Sequence, residues 1–162
     1  MQDVCNIKQL IENYSDMILR IAYQHTGNMH DAEDIAQEVF LSIMKKDMKG
    51  FSKEHEKSYI IRTTINKCKS LHRKSKKLDV VYLDEIYKNP NEPVFSANER
   101  NILSVILTLD SKYRDALYLH YYEGYKASEI AKILRTTTGN VTSLLKRGRE
   151  KLKKLLEEDY YE

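Results

Sequence analysis

The sequence predicts an all-α protein of two small helical domains joined by an acidic linker, the second a helix-turn-helix domain. Three observations carry that prediction. Apolar residues recur at three- and four-residue steps along most of the 162 positions, the period of helices that turn one face to a core. Alternating strand patterns are absent, and only five glycines and two prolines interrupt the chain. Both prolines, Pro90 and Pro93, stand in the stretch 79–96, which carries four carboxylates against one lysine. Such a segment reads as a linker, extended around 89–93 and acidic throughout. It divides the chain into an N-terminal helical domain at 1–78 and a C-terminal domain at 97–162.

Composition narrows the function classes. A hydrophobic fraction of 41% is enough for a core, while the net charge of only +3 means that any nucleic-acid argument must rest on where the charge sits. Cys5 and Cys68 are too few and too far apart for a disulfide framework or a zinc site, which points to a reducing compartment. No apolar run approaches the ~20 residues that span a bilayer, and the start MQDVCNIKQL lacks a signal-peptide pattern. A cytoplasmic protein without membrane insertion is therefore expected. Among the five histidines, His25 and His30 stand five apart, and no HExxH spacing, Gly-rich phosphate loop or nucleophile motif occurs. The expectation is no enzyme, no metal, no cofactor and no small-molecule substrate.

The first helix is expected from Ile7 to His25, burying Leu10, Ile11, Tyr14, Ile18, Ile21 and Ala22, with a turn at Thr26, Gly27 and Asn28. Asn28 caps the second helix, which reaches Lys46, and Asp31, Glu33 and Asp34 suit its positive end. Its core stripe is Ala32, Ile35, Ala36, Val39 and Ile43; the other side gathers His30, Asp34, Gln37, Glu38 and Leu41. A leucine ringed by carboxylates has two readings, a stray surface residue or the apolar centre of a small docking site with a charged rim. The run KKDMKGFSKEHEKS, 45–58, reads as a loop.

A basic helix follows, with seven Lys/Arg between Ile60 and Leu78 and no Asp or Glu. Ile60, Ile61, Thr64, Cys68, Leu71, Ser75 and Leu78 form its core stripe, while Arg62, Asn66, Lys69, Arg73, Lys76 and Lys77 line the other side together with Tyr59. Phe51 lies just upstream. A cationic face with aromatic neighbours suits a nucleic-acid strand, since phosphates meet Lys/Arg and exposed bases stack on rings. A merely solvated charged face is the alternative.

In the second domain a helix is expected over Ala97–Leu107, and another from Asp110 or Ser111 to about Glu123, with Leu117, Tyr118, Tyr121 and Tyr122 supplying bulk. Then comes ASEIAKIL, 127–134, where Ser128 caps a short helix that points Ile130, Ala131 and Leu134 inward. Arg135 to Thr137 turn the chain. From Thr138 a last helix carries Val141, Leu145, Leu152 and Leu156. A small residue at Ala131, a short turn, and branched Val141 ten positions on is the spacing of a helix-turn-helix, in which the small side chain lets two helices cross closely. The last helix presents Thr142, Ser143, Lys146, Arg149 and Lys153, short polar groups able to reach base edges followed by cations able to hold phosphates. An ordinary helical hairpin is the alternative. Leu144 sits at one edge of the stripe of Val141, Leu145, Gly148, Leu152 and Leu155, and is expected to close the edge of the core, with a place facing the DNA groove as the alternative.

With its segments in this order, the chain resembles the bacterial RNA polymerase sigma factors, in particular the two-domain extracytoplasmic-function (ECF) group of the sigma-seventy superfamily. TGNMHDAEDIAQEVFLSIMKK, 26–46, resembles the family's polymerase-clamp-binding helix, and SYIIRTTINKCKSLHRKSKK, 58–77, its helix that opens and reads the minus-ten element. YRDALYLHYYEGYKASEIAKIL with TTGNVTSLLKRGREKLKKLL, 113–134 and 137–156, resembles the domain that reads the minus-thirty-five element. The resemblance implies a dissociable factor that binds core RNA polymerase, recognises promoter DNA, takes part in opening it, and answers to a separate anti-sigma factor. It makes Asp31, Asp34, Gln37, Glu38 and Leu41 the polymerase-binding candidates and Phe51, Tyr59, Arg62, Asn66, Lys67, Lys69 and Arg73 the minus-ten candidates. Asn140, Thr142, Ser143, Lys146, Arg147 and Arg149 are the minus-thirty-five candidates. The linker's Asp79, Asp84, Glu85 and Glu92 would thread toward the RNA exit path.

Three departures from the family stand out. Its glycine in the helix-turn-helix turn is Arg135 here, and a non-Gly residue in a left-handed turn costs up to ~1–2 kcal/mol, so a differently built turn is expected. Thr142 and Leu144 occupy positions where the family often has basic residues, so a weaker phosphate grip is expected. Tyr59 stands for the usual tryptophan. A competing reading from another class is a helical adaptor or anti-activator that binds polymerase or a partner without reading DNA.

Overall fold

The computed structural model describes residues 2–74 and 105–161. The expected acidic linker, and most of the helix expected over Ala97–Leu107, lie outside the described residues. Every regular element among the described residues is a helix. The chain divides into two compact units, Met1–Phe95 and Ser96–Glu162.

In the first unit α1 spans Gln2–Thr26, α2 Met29–Lys45 and α3 Lys53–Lys74, and each packs on the other two. The five core positions expected on α2, Ala32, Ile35, Ala36, Val39 and Ile43, are all buried. Asn28 caps α2 as the sequence predicts, its Oδ1 accepting from the backbone N–H of His30 at 2.8 Å and of Asp31 at 3.3 Å. From α3 come Ile60, Ile61, Thr64 and Cys68, with Ile65 beside them. Thr64 is tolerated in this core because its hydroxyl donates to the Ile60 carbonyl at 2.7 Å, which leaves no unpaired polar atom.

Two readings of this unit change. The covered part of α1 is its second half: Met17, Ile18, Ile21, Ala22 and Tyr23 are buried, Leu10 and Tyr14 only partly, and Ile11 is 40% exposed. Part of 45–58 is helix rather than loop, because α3 begins at Lys53. Ser52 starts it, its Oγ accepting from His55 N–H at 3.1 Å while its carbonyl accepts from Glu56.

In the second unit α4 spans Ser111–Leu117, α5 Ala127–Leu134 and α6 Thr138–Tyr161. Both shorter helices pack on α6. Tyr113, Ala116, Leu117, Leu119, Ile130, Ala131, Ile133, Val141 and Leu145 form the buried core. At Gly148 an added Cβ would stand 3.1 Å from Leu117 Cδ1, so the missing side chain is what lets α4 and α6 close on each other. Ala131 and Val141, the two positions of the helix-turn-helix spacing, are both buried.

Four readings are corrected here. The helix from Ser111 does not run on as α-helix to Glu123; Tyr118–Tyr122 is a π-helical turn, with Glu123 N–H bonded five residues back to the Tyr118 carbonyl at 3.2 Å. Its extra residue rotates Tyr121 and Tyr122 out to solvent, whereas Tyr118 stays buried. Ser128 is not the cap of α5: the helix starts at Ala127, and the Glu129 carboxylate accepts from the backbone N–H of Lys126 at 2.9 Å. Ile133 takes the buried place expected for Leu134, which is half-buried. Arg135 adopts the left-handed conformation itself, φ 55° and ψ 51°, and Thr136 N–H closes the helix end on the Ala131 carbonyl at 2.9 Å. The turn thus has the geometry a glycine would give, at the cost of holding a side chain there.

Candidate docking face and nucleic-acid interface

Burial of one stripe of α2 dictates what the other side shows. Asp34, Gln37 and Glu38 are exposed and Asp31 is half-buried. Leu41 stands among them at 56% exposure. Met44, one turn further along, is 52% exposed and enlarges the apolar centre. The sequence reading missed it, although its three-residue step from Leu41, off the core stripe, was the signal. His30 Nε2 lies 4.0 Å from Asp34 Oδ2, an exposed pair of small energetic weight. The face thus sets exposed carboxylates beside an exposed hydrophobic pair, a combination suited to a basic partner.

At the start of α3 three rings stand one helical turn apart. Phe51 stacks on His55 with centroids 3.9 Å apart and planes at 14°, and meets Tyr59 edge-on at 6.2 Å and 72°. Lys46 Nζ lies 5.8 Å from the Tyr59 centroid, within reach of a cation–π attraction. His55 is not among the candidates expected from sequence, because 45–58 reads as loop there. His55 and Tyr59 lie one turn apart on α3 with Phe51 just before it, and the four-residue step is the signal that could have found it. Further along, Asn66 and Lys69 are exposed, Arg62 and Lys67 half-buried, and Arg73 belongs to the last turns of α3. The π-faces and cations together offer stacking beside charge neutralisation, the two needs of a single strand.

All six residues expected to face the minus-thirty-five element lie exposed on the first half of α6: Asn140, Thr142, Ser143, Lys146, Arg147 and Arg149. Thr137 starts the helix by accepting from Asn140 N–H on its Oγ1 at 3.1 Å. Two of the polar side chains donate to nearby groups. Asn140 Nδ2 donates to Thr136 Oγ1 at 2.9 Å, and Thr142 Oγ1 donates to the Thr138 carbonyl at 2.9 Å. Thr142 therefore presents a methyl group and an acceptor, the means of reading a thymine methyl or a base amino group. Leu144 is half-buried beside fully buried Val141, which places it at the edge of the core. Arg149 Nη1 donates to the Tyr121 hydroxyl at 2.9 Å, a contact that no sequence pattern signals.

No group of three or more His, Cys, Asp or Glu able to hold a metal occurs among the described residues. No described helix is long and apolar enough to cross a membrane.

Fold and surfaces define a two-unit helical protein with a helix-turn-helix and a separate acidic face on α2. Residues 10–78 match the sigma-70 region 2 family, and residues 99–152 match sigma-70 region 4. The ECF RNA polymerase sigma factor SigW of Bacillus subtilis is 31% identical over 91% of this chain and 87% of its own length. SigE of Mycolicibacterium smegmatis, also an ECF RNA polymerase sigma factor, is 28% identical over 91% of this chain, which spans 60% of that longer protein. The chain belongs to the ECF group of the sigma-70 family of RNA polymerase sigma factors. The fold agrees with that of the sigma factor RpoE of Bartonella quintana, solved with the anti-sigma factor NepR, at a TM-score of 0.70 and 18% identity over 94% of this chain and 97% of that one. CnrH, solved with the cytosolic domain of CnrY, gives a TM-score of 0.69 at 19% identity over 94% and 88%.

Proposed function

We infer that the chain binds core RNA polymerase through α2, directs initiation at a defined set of promoters, and takes part in opening them. It is a sigma factor, a regulatory subunit that gives the enzyme its choice of promoter. The observation that carries the docking assignment is the exposure of Leu41 next to exposed Asp34, Gln37 and Glu38, with exposed Met44 one turn beyond, on a helix whose core stripe is fully buried. Packing of the first unit decides that these positions face solvent but not that they hold two apolar side chains beside carboxylates. A basic partner surface accounts for that choice of residues.

Division of labour follows from chemistry. Phe51, Tyr59 and Asn66 capture unpaired bases of the minus-ten region, and Arg62, Lys67, Lys69 and Arg73 neutralise its phosphates. Capture of bases that have left the stack holds the duplex open, and no bond is hydrolysed. Ser143 and Thr142 read base edges of the minus-thirty-five element, Asn140 braces the turn that delivers them, and Lys146, Arg147 and Arg149 grip its backbone. The protein works in the cytoplasm, and a separate anti-sigma factor, like the NepR found on the RpoE of similar fold, controls its release.

The docking assignment is tested by charge reversal. Asp34→Lys with Glu38→Lys changes only exposed charge, so the isolated protein keeps its helicity, yet the like charges meet a basic partner. The expected result is native circular dichroism with lost comigration on core polymerase in size-exclusion chromatography. Undiminished comigration would remove α2 from the interface.

A further inference from the structure

The π-helical turn is the feature of the second unit that promoter recognition, as assigned above, leaves unused. Its extra residue puts Tyr121 at 60% exposure instead of in the core. The turn is braced around it. Tyr118 stacks on Tyr122 with centroids 5.2 Å apart and planes at 15°, and the Tyr118 hydroxyl donates to Glu123 Oε1 at 2.6 Å. His120 meets the Tyr121 ring edge-on at 4.8 Å and 80°, and its own Nδ1 lies 2.8 Å from the Tyr125 carbonyl oxygen. From this braced position the Tyr121 hydroxyl accepts the hydrogen bond of Arg149 Nη1 at 2.9 Å, across 28 residues of sequence. Thr142, Lys146 and Arg149 follow one another at four- and three-residue steps on α6, all exposed, so the tyrosine stands at the border of that polar face.

We propose that Tyr121 is a positioning residue for the DNA backbone: it fixes the Arg149 guanidinium so that its remaining N–H groups meet a phosphate of the minus-thirty-five duplex. This rests on the assignment of Arg149 to DNA made above. An arginine presents five N–H donors in one plane, so a bond from Nη1 to the tyrosine orients the fork and leaves further donors for an anion. A long side chain already held in place loses less rotamer freedom when it binds. The opposite effect, a tyrosine that draws the arginine away from DNA, predicts the opposite sign on removal of the hydroxyl.

The test uses the full chain assembled with core polymerase. The probe is a duplex carrying the minus-thirty-five half of a promoter located by start-site mapping and ending upstream of the minus-ten element, titrated at several salt concentrations. Arg149→Ala should weaken binding and lower the salt slope by about one counterion. Tyr121→Phe keeps the ring and removes the acceptor, and should weaken binding about three- to tenfold with an unchanged melting temperature. In the Arg149→Ala background the same change should add nothing, which a merely structural role for the ring would not produce. Equal or tighter binding by Tyr121→Phe, or an undiminished loss in the Arg149→Ala background, overturns the positioning role. An Arg149→Ala protein that binds like the parent overturns the assignment of Arg149 to DNA itself, and the positioning role with it.

Discussion

Arg135 shows how a single residue departs from what its place in the fold favours. It holds φ 55° at the end of α5, a conformation that crowds Cβ against the carbonyl and that glycine adopts freely. Its side chain is exposed, so replacement forfeits no core packing. Arg135→Gly should therefore stabilise the second unit by about 1 kcal/mol and raise its melting temperature by ~4–8 °C in thermal denaturation. A lower melting temperature would mean that the arginine side chain contributes more than its backbone strain costs. Leu144 belongs to the same scale. Half-buried beside Val141 and Leu145, it loses part of its packing in Leu144→Arg while the arginine stem covers some of the exposed surface, so a cost of about 1–2 kcal/mol is expected. A variant that melts like the parent and binds promoter more tightly at low salt would place Leu144 in the groove instead.

At the scale of elements, what was legible in the sequence follows the rule that a helix with one buried face writes its own period. All five core positions of α2 and the Asn28 cap could be read, because an apolar stripe and a side-chain oxygen at the helix start are local signals. The start of α3 could not, since Lys53 to Lys57 is polar on every side and its helicity comes from the Ser52 cap and from the helix that continues it. Nor could the π-helical turn: Tyr118, Tyr121 and Tyr122 have the spacing of a buried α-helical face, and only the packing of Leu117, Leu119 and Tyr118 decides that one residue is left over. The stack of Phe51, His55 and Tyr59 was hidden for the first of these reasons. It makes a prediction of its own. Tyr59→Ala should reduce permanganate reactivity of minus-ten thymines in the holoenzyme complex more than it reduces initial duplex binding, because a ring stacks only on bases already unpaired. Equal loss of both would assign Tyr59 to duplex contact. Lys69→Ala, by contrast, should weaken binding to all sequences and flatten the salt dependence by about one counterion.

For the whole molecule, function depends on having both kinds of surface on one chain. A net charge of +3 conceals an acidic face on α2 and cationic faces on α3 and α6, so the protein can meet a basic protein surface and a polyanion without either repelling the other's site. The sigma-70 region 2 match, 10–78, holds α2 and α3, and the region 4 match, 99–152, holds the helix-turn-helix. Their separation explains why an adaptor that only binds polymerase is the reading to exclude: α2 alone would satisfy it. Sequencing the 5′ ends of transcripts made on genomic DNA by core polymerase with and without this chain separates the two most directly. A promoter-specificity factor yields a small set of defined start sites that appear only with the chain and share upstream sequence at minus ten and minus thirty-five. Comigration with polymerase accompanied by unchanged, scattered starts would contradict it.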